Sequence, residues 1–406
     1  MKSLRRRLAR NVSLTDEDPL LSESPIPSGQ TQEAIAGTST DWGYYPGSSL
    51  GIGGNKHEPR ESAPPHGTAP CNPFPTDLKT GGFNSAESMY LYVLGAAVVY
   101  YLYRWLRELA RVGDKATKHV YITGCDSGFG NMLAGHLDSL GFSVIAGCFT
   151  EKGEEDLRKR CSSRMTTAHL NVRSQESIAK VAAMIKAKVG ERGLWAVVNN
   201  AGVATPSSPW DWLTFEDYKG MMEVNIDGVV AVTLSVLPLI KKSRGRVVNV
   251  ASVFGRVSAC SGAYCISKYA VESFTDSLRI SMLPFGVKVC VIEPGFFRTA
   301  VTAYEAHWQS NQRIWEKMPQ AVRDDYGPDY LQKVEPIIKS VPKMADADLM
   351  KVVHCMEHAV AGVSPRKRYS PGWDAKLFWL PLSYMPSCFV DYLLTFSAIP
   401  PAKAIK

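Results

Sequence analysis

From Lys118 onward, short runs rich in β-branched residues alternate with segments of helical length. His119–Thr123, Ser143–Ala146, Trp195–Val198, Arg246–Val250 and Val287–Ile292 are such runs, and the segment before Asn171 adds a weaker one. A strand that is apolar along its whole length is covered on both faces, and strands that alternate with helices pair in parallel. The expectation is an α/β fold built on a doubly wound, mostly parallel sheet. Ligands of such sheets sit at the carboxyl ends of the strands, so the motifs at those ends carry the functional reading.

The first run leads directly into Thr123-Gly124-Cys125-Asp126-Ser127-Gly128-Phe129-Gly130, after which Met132, Leu133, Leu137 and Leu140 keep a helical period. Glycines there let the backbone turn tightly and approach a pyrophosphate held at the positive end of the following helix. The fold is therefore expected to be of the Rossmann type. Further along, Tyr264 and Lys268 stand one helical turn apart and share a face. A tyrosine titrates near ~10 by itself and needs a neighbouring positive charge to work as a base near neutral pH. Asn199-Asn200-Ala201-Gly202 ends the fourth run, Ala251-Ser252 follows the fifth, and Asn225 lies between them. Singly, each of these has an ordinary structural explanation, because buried asparagines and strand-end serines commonly satisfy backbone groups.

Taken in order along the chain, these motifs resemble the short-chain dehydrogenase/reductase superfamily, over about residues 118 to 395. The run Thr-Gly-Cys-Asp-Ser-Gly-Phe-Gly, Glu293-Pro-Gly-Phe-Phe-Arg-Thr299 and Arg368-Tyr-Ser-Pro-Gly-Trp-Asp-Ala-Lys376 are similar to its retinol dehydrogenase and hydroxysteroid dehydrogenase branch. The resemblance implies a catalytic tetrad of Asn225, Ser252, Tyr264 and Lys268. Tyr264 would take the alcohol proton as hydride leaves the same carbon, and Ser252 would hold the reacting oxygen. Lys268 would lower the Tyr264 pKa and bind ribose, and Asn225 would hold a water for proton exchange. The resemblance also implies that Thr123, Gly124, Asp126, Ser127, Gly128, Phe129, Gly130, Asn171, Asn199, Ala201, Gly202, Pro294, Gly295 and Thr299 bind the cofactor.

That cofactor is expected to be NAD rather than NADP. The second run ends Gly147-Cys148-Phe149-Thr150, with neither the carboxylate that accepts a ribose hydroxyl nor an arginine suited to a 2'-phosphate. Asp126 would repel the additional phosphate. Asn171 departs from the aspartate usual in the family, though an amide can still face adenine. The substrate site is expected from the loop after Gly202 and from an insertion at 296–345, with Ser252, Trp210, Phe296 and Phe297 as contacts. Aromatic density of this kind suits a small lipophilic alcohol. The carboxyl-terminal run from Leu377 closes the pocket or dips into the membrane, and its prolines and Asp391 argue against a second span.

Residues 1–87 are rich in Ser, Gly, Pro, Thr and Asn and show no period, as in a disordered polar tail. Asp16–Leu21 fits an acidic dileucine pattern and Asn11-Val12-Ser13 a glycosylation acceptor, and the two need opposite sides of a membrane. A membrane-anchor helix is expected at 88–112, because 89–103 carry no charge and Arg104, Arg107 and Arg111 follow. The catalytic domain would then span 113–395, with a short tail at 396–406, and face the cytosol. Members of the branch are typically attached to the endoplasmic reticulum, which the resemblance implies here, with membrane lipid as a partner. A homo-oligomer is compatible with it. The net charge of +7 is scattered, which argues against nucleic acid. Nine cysteines without a C-x-x-C pair argue against disulfides and against a metal site. The leading expectation is NAD-dependent oxidation of retinol or a hydroxysteroid. NADPH-driven reduction of the carbonyl is the runner-up, and a non-catalytic dinucleotide-binding scaffold is the alternative of another class.

Overall fold

The computed structural model describes residues 85–260, 262–396 and 398–404. The polar tail and its two short motifs lie outside them, apart from residues 85–87. Helix α1 (Ser85–Leu109) is followed by strand β1 (His119–Thr123), α2 (Gly128–Ser139), β2 (Ser143–Cys148), α3 (Glu151–Arg160), β3 (Thr166–His169) and α4 (Gln175–Val189). Next come β4 (Ala196–Asn199), α5 (Phe215–Met222), a π-helical turn at Glu223–Asp227, α6 (Gly228–Ser243), β5 (Arg246–Val250), α7 (Ala263–Met282) and β6 (Lys288–Ile292). Helices α8 (Tyr304–Lys317), α9 (Gln320–Tyr326), α10 (Tyr330–Met344) and α11 (Met350–Ala361) precede a last short strand, β7 (Arg368–Tyr369).

All seven strands pair in parallel, in the order β3-β2-β1-β4-β5-β6-β7. The chain reverses direction across the sheet between β3 and β4, which leaves the crevice for a ligand at the carboxyl ends of β1 and β4. The two-residue strand period explains how both faces are covered. Val120, Ile122, Ala196, Val198 and Val248 point to one side, where Leu133 and Leu137 of α2 and Val353 and Met356 of α11 pack. Tyr121, Val197, Val247 and Val289 point to the other, against α4, α6 and α7. β7 was not among the expected strands. It is two residues long, and the Glu293 and Gly295 amides bond to the carbonyls of Tyr369 and Pro371 beside it.

Arg246, the first residue of the interior strand β5, is fully buried. Its Nη1 donates to the Ala359 and Gly362 carbonyls at 3.2 and 2.8 Å, satisfying the end of α11, and its guanidinium lies 4.2 Å from the Trp195 ring centroid. Trp195 itself ends just before β4 and donates to the Val360 carbonyl.

α1 begins three residues before the expected anchor and ends three before its limit. Arg111 already belongs to the α/β unit, bridging to Gly362. Every large apolar side chain of α1 from Met89 to Leu109 that the structure describes is more than half exposed. Among the described residues, the one helix long and apolar enough to cross a membrane is instead the continuous stretch Phe215–Ser243. That stretch is α5, the π turn and α6, and its Val232, Val236 and Ile240 are buried against the sheet.

Candidate active site

The glycine turn is built by steric necessity. Gly124 has φ +68° and Gly128 φ +61°, in the left-handed region where a side chain is strained. A Cβ on Gly124 would lie 2.7 Å from the Ala201 Cα, and one on Gly130 would run into the Asn200 amide and the Gly124 carbonyl. Thr123 Oγ1 accepts the Asn200 and Ala201 amides at 3.1 and 3.0 Å, locking the end of β1 to the end of β4. Asn200 Nδ2 donates to the Thr123 and Gly124 carbonyls, both at 3.0 Å. Ser127 stands at the N-cap of α2, and its side chain accepts no helix amide. The first-turn N–H groups are thus left for an anion, as the pyrophosphate of a dinucleotide requires. Thr299 lies against Gly128, and Phe129 meets Phe297 edge-on at 5.8 Å.

Asp126 reaches the end of β2. Its carboxylate accepts Phe149 N at 2.9 Å, Thr150 N at 2.8 Å and Thr150 Oγ1 at 2.6 Å. The strand itself lacks a carboxylate, so the glycine turn supplies one from the side. Asn171 makes a local turn, its Oδ1 accepting Arg173 N at 3.0 Å.

Two of the expected contacts need correction. Asn199 is buried with its Nδ2 donating at 2.8 Å to both Thr233 Oγ1 and Asn249 Oδ1, so its side chain clips α6 and β5 rather than facing the cofactor crevice. The side chain that meets the glycine turn is that of Asn200. Phe297 is 2% exposed and packs into the core beside Phe129, so it is not a substrate contact. Strand parity held the first signal, since Asn199 shares a face with Val197.

At the other end of the crevice, β5 leads into Ser252, whose Oγ accepts Phe254 N at 3.2 Å. Tyr264 and Lys268 lie on α7, with Lys268 Nζ 5.6 Å from the Tyr264 ring centroid. Lys268 Nζ donates to the Val250 carbonyl at 3.0 Å. Burial pulls the Lys268 pKa down to about 8, with Glu272 opposing. Burial pushes the Tyr264 phenol above its ordinary range, and the Ser252 hydroxyl, hydrogen-bonded to it, pulls the other way. Lys268 keeps its charge in the bond to the Val250 carbonyl and stands on the same side of α7 as the phenol. Asn225 sits in the π turn, a local irregularity common at functional sites. Its amide exchanges two 2.8 Å hydrogen bonds with the Val203 backbone and donates to Ser267 Oγ at 3.0 Å. It holds the loop after Gly202 beside Lys268.

Aromatic rings line the approach to Tyr264. Phe254 meets Tyr264 edge-on at 6.4 Å, Phe296 at 5.4 Å and Trp379 at 5.2 Å. Phe254 and Trp379 escaped the sequence reading as contacts, although Trp379 belongs to the run expected to close the pocket. Trp210 is half exposed on the loop, while Trp212 is buried against Trp315, Tyr326 and Tyr330 of the insertion. The loop carrying Phe296 is anchored by Asp374, which accepts Phe296 N at 2.7 Å, and a Cβ on Gly295 would run into that carboxylate. Pro294 accepts Val253 N at 3.1 Å, tying the same loop to the Ser252 segment. Beneath it, Glu293 accepts from Arg256 at 3.1 Å and from Arg368 at 2.9 Å.

Among the described residues one group could hold a metal ion, His136 with His354 and Glu357. It lies between α2 and α11, and Arg111 pairs with the same carboxylate at 3.3 Å.

A sequence model of the short chain dehydrogenase family matches residues 118–310. Mouse retinol dehydrogenase 16 is 48% identical over 317 residues, which are 78% of this chain and all of that protein. Human 17-beta-hydroxysteroid dehydrogenase type 6 is 47% identical over the same shares. A solved short-chain dehydrogenase from Streptomyces avermitilis superposes with a TM-score of 0.55 at 26% identity, covering 69% of this chain and 96% of that one.

Proposed function

We propose, from the premise that this chain belongs to the short-chain dehydrogenase/reductase family and to its retinol and hydroxysteroid dehydrogenase branch, that it oxidises a lipophilic alcohol with NAD. It is an NAD(P)-dependent alcohol dehydrogenase. The nicotinamide cofactor, when bound, supplies the hydride acceptor. Thr123, Gly124, Ser127, Gly128, Gly130 and Ala201 would hold it, through the open first turn of α2 and the close approach of β1 to β4. Asp126 favours NAD over NADP, because its carboxylate stands at the end of β2 and would repel a 2'-phosphate.

Tyr264 takes the proton from the alcohol oxygen, and Ser252, which faces the phenol, orients that oxygen. Lys268 is the chain's own positive charge near the phenol, and at 5.6 Å from its ring centroid it would favour the phenolate. Asn225 keeps the Val203 loop in place beside Lys268. The observation that carries the lipophilic substrate is the apolar box of Phe254, Phe296 and Trp379 against Tyr264. It suits a retinol or a hydroxysteroid.

α1 is read as a membrane anchor, because its uncharged run 89–103 is exposed around the helix and uncovered by protein, which calls for a nonaqueous surrounding. The arginines after it favour a cytosolic catalytic domain at the endoplasmic reticulum. The test is a panel of retinoid and steroid alcohols assayed with NAD and with NADP, alongside Tyr264→Phe. NADH formation by the wild-type chain and loss of roughly 100- to 10,000-fold in the variant is the expected outcome. Retained turnover in Tyr264→Phe refutes the mechanism, and turnover only as NADPH-driven reduction would replace the direction proposed.

A further inference from the structure

Where α1 meets the α/β unit, an open cavity of about 590 Å³ lies between Tyr100, Tyr103, Arg104 and Arg107 of the helix and the segment 364–368. We infer that this cavity binds the anionic headgroup of a membrane phospholipid; the inference rests on the reading of α1 as a membrane anchor.

Charge decides the ligand class. Six cationic side chains line the cavity against a single carboxylate, Glu108. Glu108 is shared between Arg104 at 3.0 Å and Arg366 at 2.8 Å, which leaves that trio with one surplus positive charge. Arg279 and Arg368, which also line the cavity, are paired with Asp276 at 2.9 and 2.5 Å. Two cations then remain. Among the described residues Arg107 donates only to the neutral Ser364 hydroxyl, at 3.0 Å, and stands 5.5 Å from the Tyr103 ring centroid. Lys367 is exposed and makes no ion pair among the described residues. A concave site with uncompensated arginine and lysine and a hydroxyl beside them is matched to a phosphate.

Position decides its source. The uncharged run 89–103 of α1, exposed on all faces, ends at the rim of this cavity. Tyr100 and Tyr103, more than half exposed, are placed as interface tyrosines usually are, one end in the apolar layer and one in the headgroup layer. A phosphate delivered by the bilayer would arrive at that depth without leaving its lipid. Cationic side chains next to a span are the known form of anionic-lipid recognition. Here they are held in a defined concavity by Glu108 and Ser364 rather than scattered on a mobile segment.

The full chain is reconstituted in phosphatidylcholine vesicles, and tryptophan quenching by brominated phosphatidylserine is compared with quenching by brominated phosphatidylcholine at equal mole fraction. Trp105 stands on α1 between the cavity residues Arg104 and Arg107 and, more than half exposed, reports the lipid around the helix at that depth. The expected relative association constant favours phosphatidylserine by roughly five- to thirtyfold, from about fivefold per cation at the surface. The double variant Arg107→Gln, Lys367→Gln should bring it to about one, while Lys180→Gln, Lys186→Gln, with the same charge loss on the exposed face of α4, should leave it unchanged. Equal loss in both double variants, or equal quenching by both lipids in the wild type, overturns the inference while leaving the anchor intact. No quenching by either lipid overturns the anchor reading and this site with it. If inorganic phosphate without vesicles raises the melting temperature of the wild type only, and the wild type shows no lipid preference, the site takes free phosphate and the lipid assignment is wrong.

Discussion

Replacing Asn199 with alanine should destabilise the protein without changing how it binds dinucleotide. The side chain donates at 2.8 Å to Thr233 Oγ1 and to Asn249 Oδ1, and all three residues are at most 2% exposed. Asn249 sends its own Nδ2 to Thr275, so Asn199 supplies the partner of a buried carbonyl oxygen. Leaving that oxygen unpaired costs about 1–3 kcal/mol, and the bond to Thr233 adds about 1 kcal/mol. Asn199 Oδ1 is itself buried without a partner, and its removal returns part of this. The net expectation is about 2–3 kcal/mol, or a melting temperature lower by roughly 4–12 °C for a domain of this size. Thermal unfolding measures the first quantity. NAD affinity, measured well below both midpoints by fluorescence titration, measures the second and should stay within about twofold. A variant that keeps its melting temperature and loses NAD affinity tenfold or more would refute the assignment of Asn199 to the sheet.

Asp126→Ser should lower the preference for NAD over NADP by roughly tenfold or more in the ratio of dissociation constants, because like charges about 4 Å apart at a part-solvated site cost about 1–4 kcal/mol. A fall in both affinities with an unchanged ratio would mean that Asp126 only braces the turn. Phe254→Ala and Trp379→Ala should each reduce kcat/KM for a lipophilic alcohol by roughly tenfold or more, with NAD affinity unaffected. The buried Lys268 gives a pH signature. Its folded pKa of about 8 lies below the ordinary 10.5, so between those values the unfolded chain binds more protons and stability rises with pH. Urea denaturation should show a gain on the order of 1–3 kcal/mol across that window, absent in Lys268→Met. An equal rise in the variant would assign the effect to other groups.

Local readings held where the residues concerned are neighbours in the chain. Each strand and each helix start needs only a few consecutive side chains, so the parallel sheet and the turn from Thr123 to Gly130 were legible before the fold was known. The spacing of Tyr264 and Lys268 is likewise a property of one helix. Side-chain direction at a strand end is harder to read when both faces of the sheet are apolar. Asn199 and Asn200 differ by one residue and therefore by a whole face. The same step separates Phe296, beside Phe254, from Phe297, in the core.

The sequence by itself determined the class of fold, the order of the catalytic motifs and the apolar character of α1, because these follow from periodicity and local spacing. Tertiary structure alone decided what each polar group does. Asp126 becomes the carboxylate of β2 only when β1 and β2 pair, Lys268 finds the Val250 carbonyl only when α7 packs on β5, and Arg107 meets Ser364 only when the end of α1 meets the segment after α11. Burial and long-range hydrogen bonds set those assignments, and neither is a function of nearby residues in the chain.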